Sequence, residues 1–330
     1  MKIRLLIATN DEQYAQRLWA SGTPQNDIVE ISVCTDYAHL NTMLSSNKYE
    51  VLLLEQDAIP YVRTSSAQLQ ILLWDQTQSA VTGVPDTIYI KKYQRISLIL
   101  SQVITHYAQV APEQMGLDKS SRITAVWSPA GGVGKTSVAL AFAAHHAAAH
   151  KKVTYLDLEA FSGIPVLFSQ PGNSLTTVFE QLGGNMALQL RGLLTTDSTT
   201  GIGFWGAPNN YDDLNALSRD ELTDLIRAAS HEIDELVIDL SSVCSEKIWD
   251  TFDLADQILL VVDQSPVAQA KLQQFVSQND IYHRFLHKMT LVVNKGARFT
   301  LSRDIKTIPL PVVNSGNPVT VYQKLAATRF

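Results

Sequence analysis

Arg122-Ile-Thr-Ala-Val-Trp-Ser-Pro-Ala-Gly-Gly-Val-Gly-Lys-Thr-Ser137 is the stretch that decides the fold. Its first six residues are a β-rich apolar run, and the Ala-rich segment from Ser137 to Lys151 that follows is made of helix formers. Strand, Gly-rich turn, Lys-Thr and helix in that order is the layout of a phosphate-binding loop. Gly131, Gly132 and Gly134, with Val133 between, let backbone N–H groups close around phosphate oxygens where a Cβ would obstruct them. The start of the helix, Lys135-Thr136-Ser137, adds unsatisfied donors and a positive dipole end. Lys135 supplies a charge for the β/γ-phosphates, and the Thr136 hydroxyl is placed to ligate Mg²⁺. The general pattern Gly-x-x-x-x-Gly-Lys-[Ser/Thr] would begin at Pro129, so the loop departs from it at its first position.

A length of 330 residues suggests two domains with ample core. A 45% apolar and 18% charged composition is that of an ordinary soluble chain. No apolar run reaches transmembrane length, and no basic segment leading into an apolar one opens the chain. Cys34 and Cys244 form neither a CxxC pair nor a disulfide framework, which makes a reducing cytoplasm the expected setting. Net charge is −6, with 8 basic against 12 acidic residues through residue 118 and 18 against 20 beyond it. Neither part has the basic balance of a protein built around nucleic-acid phosphates.

Residues 1–110 alternate strand-like runs (2–9, 28–34, 50–54, 69–74, 87–90) with helix-like ones (12–21, 37–46, 96–109). Alternation of this kind predicts a parallel sheet with right-handed crossovers. Residues 111–121 are polar, carry Pro and Gly, and read as a linker. Residues 122–330 then form the second domain. There Lys152 to Glu159 reads as a strand ending in two acids, Asp157 and Glu159, which at i and i+2 face one side. Glu235-Leu-Val-Ile-Asp239 is an apolar strand ending in an acid, a Walker B pattern whose carboxylate would hold Mg²⁺ against Thr136. Residues 256–263 and 288–294 are continuous Val/Leu/Ile runs, as central parallel strands require. Ser218 and Glu221 stand at capping-box spacing before a helix. His146 and His150 are four apart but lack the Glu of an HExxH site, and Trp127 and Trp205 read as core aromatics.

The loop resembles the deviant phosphate loop of the MinD/ParA ATPases, Lys-Gly-Gly-x-Gly-Lys-[Thr/Ser], in all but its first lysine, which is Ala130 here. That resemblance implies an ATP·Mg²⁺ site. It puts Asp157 near the metal's water shell, gives Glu159 the task of orienting the attacking water, and sets Asn294 against the base. The family's acid at 159 is Asp, so Glu159 is a second departure. Ile308-Pro-Leu-Pro-Val-Val-Asn-Ser-Gly-Asn-Pro-Val319 is similar to the family's closing segment. Residues 1–110 resemble a response-regulator receiver domain in order and length. There Glu55 takes the phosphoacceptor's place, Asn10 and Asp11 stand for the acidic pair, and Lys91 or Lys92 matches the strand-five lysine. The resemblance is to a pseudo-receiver serving as a docking module, with Asp57 the remaining candidate phosphoacceptor.

A receiver-like domain ahead of a MinD/ParA-like ATPase resembles the TadZ/CpaE family. That implies an ATP-binding localisation factor for Tad (Flp-type) pilus assembly, with slow or absent hydrolysis because of Ala130 and Glu159. It also implies a homodimer, pilus or secretion proteins as partners, and a cytoplasmic chain that reaches a pole or membrane only through them. The alternatives are a ParA/MinD-type partitioning or positioning ATPase and a non-hydrolysing ATP-bound scaffold. A partitioner would want a basic DNA-binding surface, a tyrosine-kinase relative a C-terminal tyrosine cluster, and a nitrogenase-iron-protein relative cluster cysteines; none stands in this sequence.

Overall fold

The structure, a computed structural model, describes residues 2–22, 28–63, 65–75, 88–111, 121–180, 185–296, 299, 301, 305–328 and 330. The expected linker at 111–121 falls outside these except for its two ends. The chain divides into two compact units, Met1–Met115 with Gly183–Gly192, and Gly116–Leu182 with Leu193–Phe330.

The first unit holds strands β1 (Ile3–Ala8), β2 (Val29–Cys34), β3 (Val51–Glu55), β4 (Leu69–Trp74) and β5 (Ile88–Lys91). They form a parallel sheet in the order β2-β1-β3-β4-β5. This is the flavodoxin-like order, in which the chain reverses direction between β1 and β3. The helices are α1 (Glu12–Gly22), α2 (Leu40–Ser46) and α3 (Ile96–Val110). Strand alternation sorts the core into two layers. Leu5 and Ile7 of β1 and Val51 and Leu53 of β3 join Tyr14 and Leu18 of α1 and Ile99 and Val103 of α3. Leu6, Ala8, Leu52 and Leu54 turn the other way, onto Leu40 and Ala58. After β3 the chain makes a 3-10 turn, Gln56–Tyr61, that contains Pro60. Pro60 offers no N–H, which suits a short turn better than a full helix.

The second unit holds β6 (Arg122–Trp127), β7 (Val153–Asp157), β8 (Thr195–Thr196), β9 (Gly203–Phe204), β10 (Glu235–Asp239), β11 (Gln257–Val262), β12 (Met289–Val293) and β13 (Lys306–Pro309). Their order is β13-β12-β11-β6-β10-β7-β9-β8, parallel except for the β8–β9 hairpin at one edge. β7, β10 and β12 are buried at every position, as strands covered on both faces must be. Helices α4 (Lys135–Ala148), α5 (Ile164–Leu167), α6 (Thr176–Glu180), α7 (Met186–Leu193), α8 (Asp212–Ala216), α9 (Arg219–Ala229), α10 (Glu246–Leu254), α11 (Pro266–Val276), α12 (Asn279–Phe285) and α13 (Pro318–Ala326) connect or follow them. The helix read from Ser137 begins two residues earlier, at Lys135, because Gly134 in left-handed geometry ends the loop there. The capping box of α9 forms as read, with Ser218 and Glu221 bonding reciprocally. Trp127 and Trp205 are buried.

Residues 183–192, which the sequence places in the second domain, lie with the first unit. Asn185 N donates to Ala108 O at 2.7 Å, and Leu188 packs on the first unit's core. Gly192 permits a close approach, since a Cβ there would stand 2.7 Å from Ile104 Cγ2.

Candidate nucleotide site

The site is built where three neighbouring strands end. Asp239 of β10 pairs in register with Asp157 of β7 on one side and Val126 of β6 on the other. Parallel strands finish at the same edge, so both carboxylates arrive beside the loop that leaves β6. That loop is a nest. Gly132 (φ 75°) and Gly134 (φ 92°) are left-handed, with Val133 between them. A Cβ on Gly131 or Gly132 would meet nothing within 4 Å, so the loop's flank is open there. At Gly134 a Cβ would lie 2.4 Å from Asn294 Nδ2.

Lys135 opens α4 with its side chain 8% exposed. Its Nζ donates to Ser242 Oγ at 2.9 Å and lies 3.6 Å from Glu159 Oε1. Ser242 Oγ in turn donates to Ala130 O at 3.0 Å, so the lysine is held against the loop it serves. Ala130 itself is buried.

Carboxylate oxygens of Asp157, Glu159 and Asp239 lie within 4.8 Å of one another. Asp157 accepts from Ser162 Oγ at 2.5 Å and from Glu159 N at 2.9 Å. Asp239 is fully buried, and its Oδ2 accepts from Tyr155 OH at 3.0 Å. Its Oδ1 has no hydrogen-bond partner. Burial raises the Asp157 pKa, against the pull of Ser162 and the Glu159 N–H, with the Glu159 charge adding to the rise. Burial and the adjacent Asp157 raise that of Asp239, against the Thr136 and Tyr155 hydroxyls. A buried oxygen with no partner amid three converging acids is what a cation would relieve. The residues present therefore fit Mg²⁺ held by Thr136, Asp239 and Asp157, next to a nest and a lysine that fit phosphates.

Asn294 lies at the end of β12 with its amide engaged. Nδ2 donates to Val133 O at 2.9 Å and Oδ1 accepts from Lys295 N at 2.8 Å. It sits under the loop as a brace. Ser242, Tyr155, Ser162 and the pair Lys295–Asp263 were not singled out by sequence reasoning. Ser242 alone carried a signal there, standing three residues after Asp239.

No protein-family model and no curated protein matches the chain. Among solved structures, a ParA-family ATPase from Chlorobium tepidum is similar, at 15% identity and a TM-score of 0.51, over 63% of this chain and 96% of that one. The chain carries a ParA-type ATPase fold over that length. Cobyrinic acid a,c-diamide synthase from Mycobacterium smegmatis, solved with ADP and magnesium, aligns at 17% identity and TM-score 0.46 over 62% of this chain and 92% of its own. The cell-division ATPase MinD from Pyrococcus furiosus aligns at 14% identity and TM-score 0.46 over 62% and 97%.

The matching edge of the first sheet is occupied by the chain's own charges. Glu55 Oε1 accepts from Thr9 Oγ1 at 2.6 Å and pairs with Lys92 Nζ at 2.7 Å, while Oε2 accepts from Tyr37 OH at 3.0 Å. Lys92 also reaches Asp11 at 3.4 Å. Burial works to lower the Lys92 pKa, but the Glu55 partnership outweighs it and the net shift is upward. Of the two lysines left open by the sequence, Lys92 is the buried one and Lys91 is exposed. Asp57 is exposed on the 3-10 turn.

Proposed function

We propose that this chain binds ATP with Mg²⁺ at the 130–137 loop and acts as a positioning protein of ParA/MinD type. The observation that carries the reading is the meeting of the nest, Lys135, Thr136 and three acids around the unpartnered Asp239 Oδ1. Lys135 would turn from Ser242 to the phosphates, and Asp157 and Glu159 would hold water at the same edge. Bound Mg²⁺ supplies charge neutralisation across the phosphates. Slow or absent turnover fits two features. Glu159 has a longer side chain than the family's Asp, and it lies near Lys135, within 3.6 Å.

The finer reading is a localisation and assembly factor of a Tad (Flp-type) pilus or related secretion machine, working as a homodimer and recruited through the first unit. The Glu55 cluster, in which Glu55 already holds Lys92, Thr9 and Tyr37, supports a docking unit rather than a phosphorelay switch. Exposed Phe161 and Val243 stand on the loops that follow the three acids, with exposed Val166 on α5 just beyond Phe161, and suit a protein contact there. Among the described residues no helix is long and apolar enough to cross a membrane, so any membrane address would come through partners. The acidic balance of both parts speaks against DNA as the platform.

Calorimetry with ATP·Mg²⁺ tests the site. Lys135→Ala is expected to lose about 1.5–3 kcal/mol of binding, the worth of a charge-assisted contact. Equal affinity in the two proteins would refute the nucleotide reading.

A further inference from the structure

The turn that leaves β12 makes a second set of contacts with the phosphate loop. Lys295 Nζ donates to Gly132 O at 2.7 Å and to Asp263 Oδ2 at 2.7 Å. The preceding residue, Asn294, holds Val133 O through Nδ2. Two consecutive side chains thus hold two consecutive carbonyls of the loop. In a planar trans peptide the C=O of one residue and the N–H of the next point in opposite directions. Fixing the carbonyls of Gly132 and Val133 toward β12 therefore fixes the N–H groups of Val133 and Gly134 away from it. Among the described residues, no hydrogen bond takes either of those N–H groups. The arrangement has a conformational cost. Lys295 sits at φ 57°, a left-handed geometry that a lysine adopts only at the expense of strain. A glycine would fit that backbone better, and Gly296 beside it is left-handed too. A simple turn does not need a lysine there, but a clamp that must reach Gly132 does.

We propose that Lys295, steadied by Asp263, is a positioning residue that pre-organises the phosphate loop as an anion cradle by holding the Gly132 carbonyl outward. The ligand class is the phosphate chain of a nucleotide, and this purpose rests on the nucleotide reading above. Pre-organisation raises affinity because the loop's donors need not be ordered when the ligand arrives.

The test uses the full chain and three variants. Lys295→Gly removes the clamp and relieves the strained backbone, Asp263→Asn removes the steadying charge, and Lys295→Arg keeps charge and donors. Hydrogen exchange without nucleotide reads the clamp alone. Lys295→Gly is expected to speed exchange of the amides between 131 and 136 several-fold while the melting temperature stays close to that of the wild type. In calorimetry with ADP, Lys295→Gly should bind about tenfold more weakly, the worth of one charge-assisted bond. Asp263→Asn should lose part of that affinity, and Lys295→Arg should recover most of it. Unchanged exchange in Lys295→Gly overturns the clamp whether or not nucleotide binds. Faster exchange with unaltered ADP affinity, in a wild type that binds ADP, overturns its role in binding. A wild type that binds no ADP overturns the nucleotide reading and, with it, the clamp's purpose.

Discussion

Asp239 is a carboxylate the fold holds at a cost. It is fully buried, beside Asp157, with one oxygen unpartnered. Its pKa is raised in the fold, so its ionised form is the disfavoured one there. A carboxyl whose pKa is raised in the fold contributes stability that is fully present below its unfolded pKa and is lost as pH climbs from there through the folded value. Asp239→Asn should therefore melt higher than the nucleotide-free wild type, by an amount that grows with pH and reaches about 1–3 kcal/mol. Mg²⁺ with ADP should stabilise the wild type and leave the variant unmoved, and scanning calorimetry across pH with and without the metal checks both. Gly134 is the opposite case, a residue whose absent side chain matters. At φ 92°, and with a Cβ only 2.4 Å from Asn294 Nδ2, Gly134→Ala must displace the brace. Loss of ADP binding with a lowered melting temperature is expected; tight binding by that variant would show that the loop repacks freely. Lys135, Thr136, Asp157, Glu159 and Asp239 were legible because a strand end announces each acid and glycines announce the loop. Tyr155 and Lys295 were not, since their partners lie 84 and 163 residues away.

At the scale of elements, apolar runs were the readable signal. Val153–Asp157, Glu235–Asp239 and Met289–Val293 are strands because such runs can be covered on both faces only inside a parallel sheet. The two-residue strands Thr195–Thr196 and Gly203–Phe204 had no such signature. They pair because the hairpin docks along β7, a condition local pattern does not carry. Helix α9 tests a local device. Removing its cap with Ser218→Ala should cost about 1 kcal/mol, read by chemical denaturation. The end of the five-stranded sheet tests a non-local one. Lys92→Met would leave Glu55 and Asp11 without their shared ammonium and should destabilise by about 3–5 kcal/mol, the cost of breaking a buried pair. A loss under about 1 kcal/mol would mean that water reaches the cluster.

At the scale of the whole molecule, association is the property to measure. Light scattering with and without ATP·Mg²⁺ should show a nucleotide-dependent increase in mass if the exposed Phe161 and Val243 face a second copy. Phe161→Ser with Val243→Ser should abolish that increase while calorimetric ATP binding persists. Local pattern alone was enough for two mainly parallel α/β sheets, the glycine-rich loop at 130–137 and the acids at the neighbouring strand ends. These follow from short-range facts: glycine's freedom at positive φ, strand periodicity, and the placing of charge where apolar runs end. Only the tertiary structure decided that Gly183–Gly192 lies with the first unit, that Lys92 rather than Lys91 neutralises Glu55, and that Asn294 and Lys295 hold the loop's carbonyls. Those outcomes depend on which distant groups the packed chain brings within hydrogen-bond reach. A buried polar atom must take a partner from whatever stands beside it, and no local stretch of sequence specifies that neighbour.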